Sequence, residues 1–153
     1  MGRSLPLTVL FLALGAIPSA VGPARAQGAS INGLWSGTTI VTPPCTFSNG
    51  RCNAVNKITF TFQQQGDRIK GKYTCAFGTQ NCRNGGADST GDIVSGRLSG
   101  KEIRLSVVIS ADVSNCYYNG RLTTPTAIRG GYSCYQGGEL LEEGEWNAKA
   151  PAE

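Results

Sequence analysis

From Ile31 onward the chain is a succession of short runs rich in Val, Ile, Thr, Phe, Tyr and Trp, separated by Gly, Asn, Asp and Ser, and no stretch carries a helical period long enough to compete. The runs cover residues 31–41, 55–64, 67–76, 91–98, 101–110, 115–123, 126–135 and 142–148, which makes eight strands and an all-β domain. Four junctions read as tight hairpins. Each can be tested by asking whether a short turn sets apolar residues opposite one another or opposite glycine.

A turn at Gln65 and Gly66 sets Phe62 against Ile69, Phe60 against Gly71 and Ile58 against Tyr73. A turn at Ser99 and Gly100 sets Gly96 against Ile103 and Val94 against Leu105. A three-residue turn of Thr124, Pro125 and Thr126 sets Leu122 against Ile128, Gly120 against Gly130, Tyr118 against Tyr132 and Cys116 against Cys134. A loop around Gly137 and Gly138 lets Tyr132 meet Gly144 and Gly130 meet Trp146.

The repeated match is a bulky side chain opposite a glycine on the inner face. Glycine relieves crowding inside a strongly bent sheet, and an aromatic neighbour covers the backbone it exposes. A flat sandwich has little need of that device. Eight strands joined mostly by tight turns therefore point to a single up-and-down antiparallel eight-stranded β-barrel, whose closure also removes exposed edges.

Six cysteines, at 45, 52, 75, 82, 116 and 134, and no histidine favour disulfides over a zinc site, since the cysteine spacings are too wide for the usual metal pairs. Register predicts the bridge between Cys116 and Cys134. For the other four it leaves two arrangements open: local pairing of Cys45 with Cys52 and Cys75 with Cys82, or a bridge between Cys52 and Cys82.

The beginning of the chain suits an oxidising destination. Met1, Gly2 and Arg3 precede an apolar stretch over 5–17, the layout of a secretory signal and too short to span a bilayer. The Ala24, Arg25, Ala26 pattern puts the mature start at Gln27, with a cut after Ala20 as the alternative. Residues 1–26 are thus read as a signal peptide and 27–153 as the barrel domain of a secreted or periplasmic protein. The first cysteine, Cys45, lies too far on to carry a lipid anchor at the mature terminus.

Removing Arg3 and Arg25 with the signal leaves 12 Lys and Arg against 10 Asp and Glu, a net charge of about +2. That balance predicts no partner class, and basic residues are scattered apart from Arg68, Lys70 and Lys72 on one outer strand face. Nucleic acid and, after signal removal, membrane are not expected partners.

Gly33, Leu34 and Trp35 at the start of the first strand, followed by an all-antiparallel march without a helix, resemble the calycin superfamily of lipocalins and avidin-like proteins. The resemblance covers the mature chain as architecture and three residues as a motif. It implies that Trp35 closes one end and that a ligand binds at the other. The chain ends soon after the eighth strand, as in avidin rather than in typical lipocalins. With Trp35 and Trp146 its only tryptophans, it lacks the set that lines avidin's pocket, so biotin is not implied.

Trp35, Phe60, Phe62, Tyr73, Tyr118, Tyr132 and Trp146 are expected inside the barrel. An eight-stranded barrel is just wide enough to be packed solid or to hold one small ligand. The buried tyrosine hydroxyls favour a ligand, because each needs a hydrogen-bond partner. The expected ligand-binding residues are Trp35, Tyr73, Tyr118, Tyr132 and Trp146.

No spacing suggests a nucleophile with its base, and the one acidic cluster, Glu142, Glu143 and Glu145, reads as a solvated rim and outer face of the last strand. The segment 88–92, with Asp88 and Asp92, offers oxygen ligands for calcium but lacks EF-hand spacing. The expectation is a binding protein for a small, partly apolar molecule, with no cofactor and no catalytic residues. The alternative is a protein-interaction module, such as an inhibitor of a secreted hydrolase, acting through disulfide-tied loops within 45–52 or 75–88.

Overall fold

Residues two apart share one face of a strand, and that rule sorts the chain into an inner and an outer set. The structure, a computed structural model, describes residues 30–42, 55–76, 89–110 and 113–152. The strands are β1 (Gly33–Val41), β2 (Val55–Gln65), β3 (Arg68–Cys75), β4 (Ser89–Ser99), β5 (Glu102–Ile109), β6 (Ser114–Thr124), β7 (Ala127–Gln136) and β8 (Glu139–Lys149). Each pairs antiparallel with the next, and β8 returns to β1 from Ser36 opposite Lys149 to Val41 opposite Gly144, closing an up-and-down barrel. No helix occurs among the described residues.

Two of the four expected registers hold at every pair named, although the β6–β7 turn is Pro125 and Thr126 rather than three residues, since Thr124 pairs with Ala127 and a register shift between Leu122 and Thr124 makes up the difference. Across β6 and β7, Leu122 faces Ile128, Tyr118 faces Tyr132 and Cys116 faces Cys134, and the two cysteines form a disulfide. Across β7 and β8, Tyr132 faces Gly144 and Gly130 faces Trp146. Cys75 is also disulfide-bonded. The pairing proposed for Cys45, Cys52 and Cys82, the signal segment 1–26 and Asp88 lie outside the described residues.

The other two hairpins differ from expectation by two residues. Phe62 faces Gly71 rather than Ile69, Phe60 faces Tyr73 rather than Gly71, and Ile58 faces Cys75 rather than Tyr73. Likewise Gly96 faces Leu105 and Leu98 faces Ile103, while Val94 stands exposed where the register shifts between Ile93 and Ser95. The reason is the position of glycine in the turn. Gly66 and Gly100, with φ of 63° and 60°, occupy the first central position, which a two-residue hairpin turn of this hand reserves for glycine. The turns are therefore Gly66 with Asp67 and Gly100 with Lys101. An even shift leaves every remaining residue on its expected face.

The interior is built from rings. Phe60 sits at its centre, with ring centroids at 5.3 Å from Phe62, 5.4 Å from Tyr73, 5.2 Å from Tyr118 and 5.4 Å from Trp146. Tyr132 stacks on Tyr118 at 5.5 Å. Ile69, Leu98, Ile103, Leu122 and Ile128 complete the packing toward the end that carries the Gly66 and Gly100 turns.

Candidate functional site

The two ends of the barrel are closed by different chemistry. At the end where β1 begins, Trp35 is buried and its indole Nε1 donates to Ile31 O at 2.9 Å. Ile31 N in turn donates to Gln64 Oε1 at 2.9 Å, and Gln64 N donates to Asn32 Oδ1 at 2.6 Å. The segment ahead of β1 is thus pinned to the end of β2. Trp35 plugs this end, and its one polar atom is satisfied there.

At the opposite end the inner face becomes polar. Thr39 on β1, Asn56 on β2, Ser89 on β4 and Ser114 on β6 are the buried polar residues of the described chain, and all four lie near this end of their strands. Asn56 Nδ2 donates to Thr39 Oγ1 at 3.3 Å. Tyr73, Tyr118 and Tyr132 come up from the ring packing to meet them.

Glu142 joins this group, which corrects its reading as part of a solvated outer rim. Strand β8 starts at Glu139, three residues earlier than expected, and the inward alternation of Trp146 and Gly144 continues to Glu142 opposite Cys134. Its carboxylate raises the pKa of all three tyrosines. Glu145 is exposed on the outer face, as expected.

Burial is the largest cause of the raised tyrosine pKa values. For Tyr73, a hydrogen bond from the Tyr118 hydroxyl acts the other way, and Glu142 adds a smaller upward push. For Tyr118, proximity to the Tyr73 oxygen reinforces burial. For Tyr132, Glu142 is the second cause, and the Thr39 hydroxyl opposes it. All three are phenols at neutral pH, able to donate as well as accept.

One of these hydroxyls is left over. Among the described residues, Tyr132 Oη is the buried side-chain polar atom with no hydrogen-bond partner, although the residue is only 4% exposed. Thr39 and Glu142 are the polar groups that face it, without completing a bond of good geometry. A buried hydroxyl in that state costs about 1–3 kcal/mol. Beneath it Gly144 lets the strands close: a Cβ there would stand 2.0 Å from Ile40 O and 3.1 Å from the Tyr132 ring.

Of the five expected ligand-binding residues, the structure brings Tyr73, Tyr118 and Tyr132 together with Trp146, whose ring packs edge-on against Tyr118 at 5.4 Å, and sets Trp35 apart from them. Trp35 belongs to the plugged end. Trp146 lies in the middle, its Nε1 donating to Asn119 O at 3.1 Å over Gly120. Thr39, Asn56 and Glu142 are the group members that the sequence reading missed. Counting by twos from Trp35 reaches Thr39, and from Trp146 reaches Glu142.

Among the described residues, no group of three His, Cys, Asp or Glu side chains could hold a metal ion. Asp92, considered above as a calcium ligand, is ion-paired with Lys72 on the outer face. No family model matches the chain, and no curated protein matches it either.

Proposed function

We propose that the chain is an exported binding protein, not an enzyme, that holds one small, partly apolar ligand at the polar end of the barrel. The observation that carries this reading is the orphaned Tyr132 hydroxyl among Thr39, Glu142 and two further phenols. Natural cores rarely leave such a group without a partner, and one that persists calls for a ligand or an ordered water. Ring centroids 5.2–6.0 Å apart leave no room between the aromatics, so the ligand sits above them. Its apolar part rests on the rings, and its polar part accepts from Tyr132. The Cys116–Cys134 disulfide suits an oxidising compartment.

A second reading, a protein-interaction module acting through the loops, is favoured by the same dense ring packing. Val55 and Val113, half-exposed or more, also lie at the loop end of β2 and β6. Native mass spectrometry of the oxidised protein, recovered from its host compartment without refolding, separates the two. The binding-protein reading expects a reproducible small mass excess that disappears on denaturation. A bare monomer, or a monomer carrying a second protein, contradicts it.

A further inference from the structure

The outer face holds a feature that the binding end does not use. Arg68 on β3, Arg97 on β4, Arg104 on β5, Arg121 on β6 and Arg129 on β7 all point outward, one on each of five consecutive strands. These are five of the nine arginines in the chain. Register sets Arg68 directly opposite Arg97, Arg97 opposite Arg104, and Arg121 opposite Arg129.

Like charges directly opposite one another across strands are destabilising, and here the arrangement occurs three times in one belt. Local acids offset only part of it. Asp67 holds Arg97 at 2.7 Å and Glu102 stands 3.6 Å from Arg121, both pairs well exposed. Among the described residues Arg68, Arg104 and Arg129 make no ion pair. The fold does not require arginine at such positions, since the outer face of β1 and β2 carries Ser36, Thr38, Thr59, Thr61 and Gln63.

Beside the belt runs a shallow groove of about 420 Å³, lined by Ser95, Arg97, Arg104, Ser106, Tyr117 and Asn119. Tyr117 is 45% exposed, and its ring leans edge-on against Tyr135 at 6.0 Å. Guanidinium groups pair with sulfate or carboxylate through two parallel hydrogen bonds. Neighbouring strands stand about 4.8 Å apart, so the belt offers such partners at closely repeated intervals.

We infer that the arginine belt across β3 to β7 binds an acidic polysaccharide. Its sulfate or carboxylate groups neutralise the opposed arginines, a sugar face lies on Tyr117, and sugar hydroxyls meet Ser95, Ser106 and Asn119. Single-stranded nucleic acid fits less well, because it relies on several stacking rings and the groove presents one.

The test is binding of the oxidised protein to immobilised heparin, as the sulfated probe, and to polygalacturonate, as the carboxylated one, with single-stranded DNA alongside in stepped salt. The expected result is saturable binding to at least one polysaccharide, tighter than to DNA and weakening as salt rises. Arg97→Ser with Arg104→Ser should weaken it by about tenfold or more, whereas the charge-matched pair Lys57→Ser with Lys149→Ser should change it less than about threefold. The single variant Arg104→Ser, at an exposed side chain without an ion pair, gives a second readout in a protein whose thermal midpoint should be unchanged or raised. The inference is overturned if neither polysaccharide binds at low salt, if DNA binds as tightly, or if arginine and lysine variants lose affinity equally.

Discussion

The plugged end and the polar end of this barrel are made by the same eight strands, yet they solve opposite problems. At the plugged end the described polar groups are spent on the chain itself: Trp35 on Ile31, Ile31 on Gln64, and Gln64 on Asn32. At the polar end Thr39, Asn56, Ser89 and Ser114 are buried, three phenols have raised pKa values, and Tyr132 Oη is unmatched. One end is optimised for closure. The other keeps buried hydrogen-bonding capacity that packing alone does not call for, and this difference, rather than the barrel as such, locates the functional proposal.

The largest difference between the two ends is expected at alkaline pH. Each buried tyrosine has a folded pKa above the unfolded value near 10, so its contribution is intact below pH 10 and is lost as pH rises toward the folded value. In that window the unfolded chain releases protons that the folded chain retains. With three such groups, urea-unfolding free energy should fall by about 3 kcal/mol between pH 10 and pH 11, steepening toward about 4 kcal/mol per pH unit beyond. A flat profile between pH 10 and 11 would mean that the phenols are solvated and that the polar end is not a buried cluster.

The plugged end is tested by truncation. Trp35→Ala removes a side chain that is 2% exposed and touches Phe62 with ring centroids 6.0 Å apart, so it should cost about 3–5 kcal/mol in urea unfolding. A loss under about 1 kcal/mol would show that Trp35 does not close the barrel.

A smaller effect, of opposite sign, is expected at the polar end. Val113, just ahead of β6, is a β-branched residue held at φ 54° and 72% exposed. That conformation disfavours valine and suits glycine. Val113→Gly should therefore raise stability by about 1 kcal/mol, measured by thermal unfolding. A decrease would show that the valine side chain has packing partners that outweigh its backbone strain.

Much of this asymmetry could be read from the sequence, and the exceptions have identifiable causes. The β6–β7 pairs came out as expected although the turn is one residue shorter, because the shift between Leu122 and Thr124 restores the register, and they delivered the disulfide. The β2–β3 and β4–β5 registers slipped by two because Gly66 and Gly100 were assigned the second central turn position rather than the first. Inner and outer faces survived that slip, so the ring core was legible although its partners were not. Glu142 was masked by its neighbours: beside Glu143 and Glu145 it reads as a surface cluster, although the alternation from Trp146 through Gly144 turns it inward. The arginine belt was invisible for a different reason. Its members lie 7 to 29 residues apart in sequence, and only register brings them together.

The most direct test of the account is the urea-unfolding free energy of Tyr132→Phe in protein stripped of bound small molecules. If the hydroxyl awaits a partner from outside the chain, removing it relieves an unsatisfied buried group, and the variant should match the parent or exceed it by up to about 1 kcal/mol. A loss of about 1 kcal/mol or more would show that the hydroxyl is already engaged within the protein, and the binding site proposed at this end would lose its foundation.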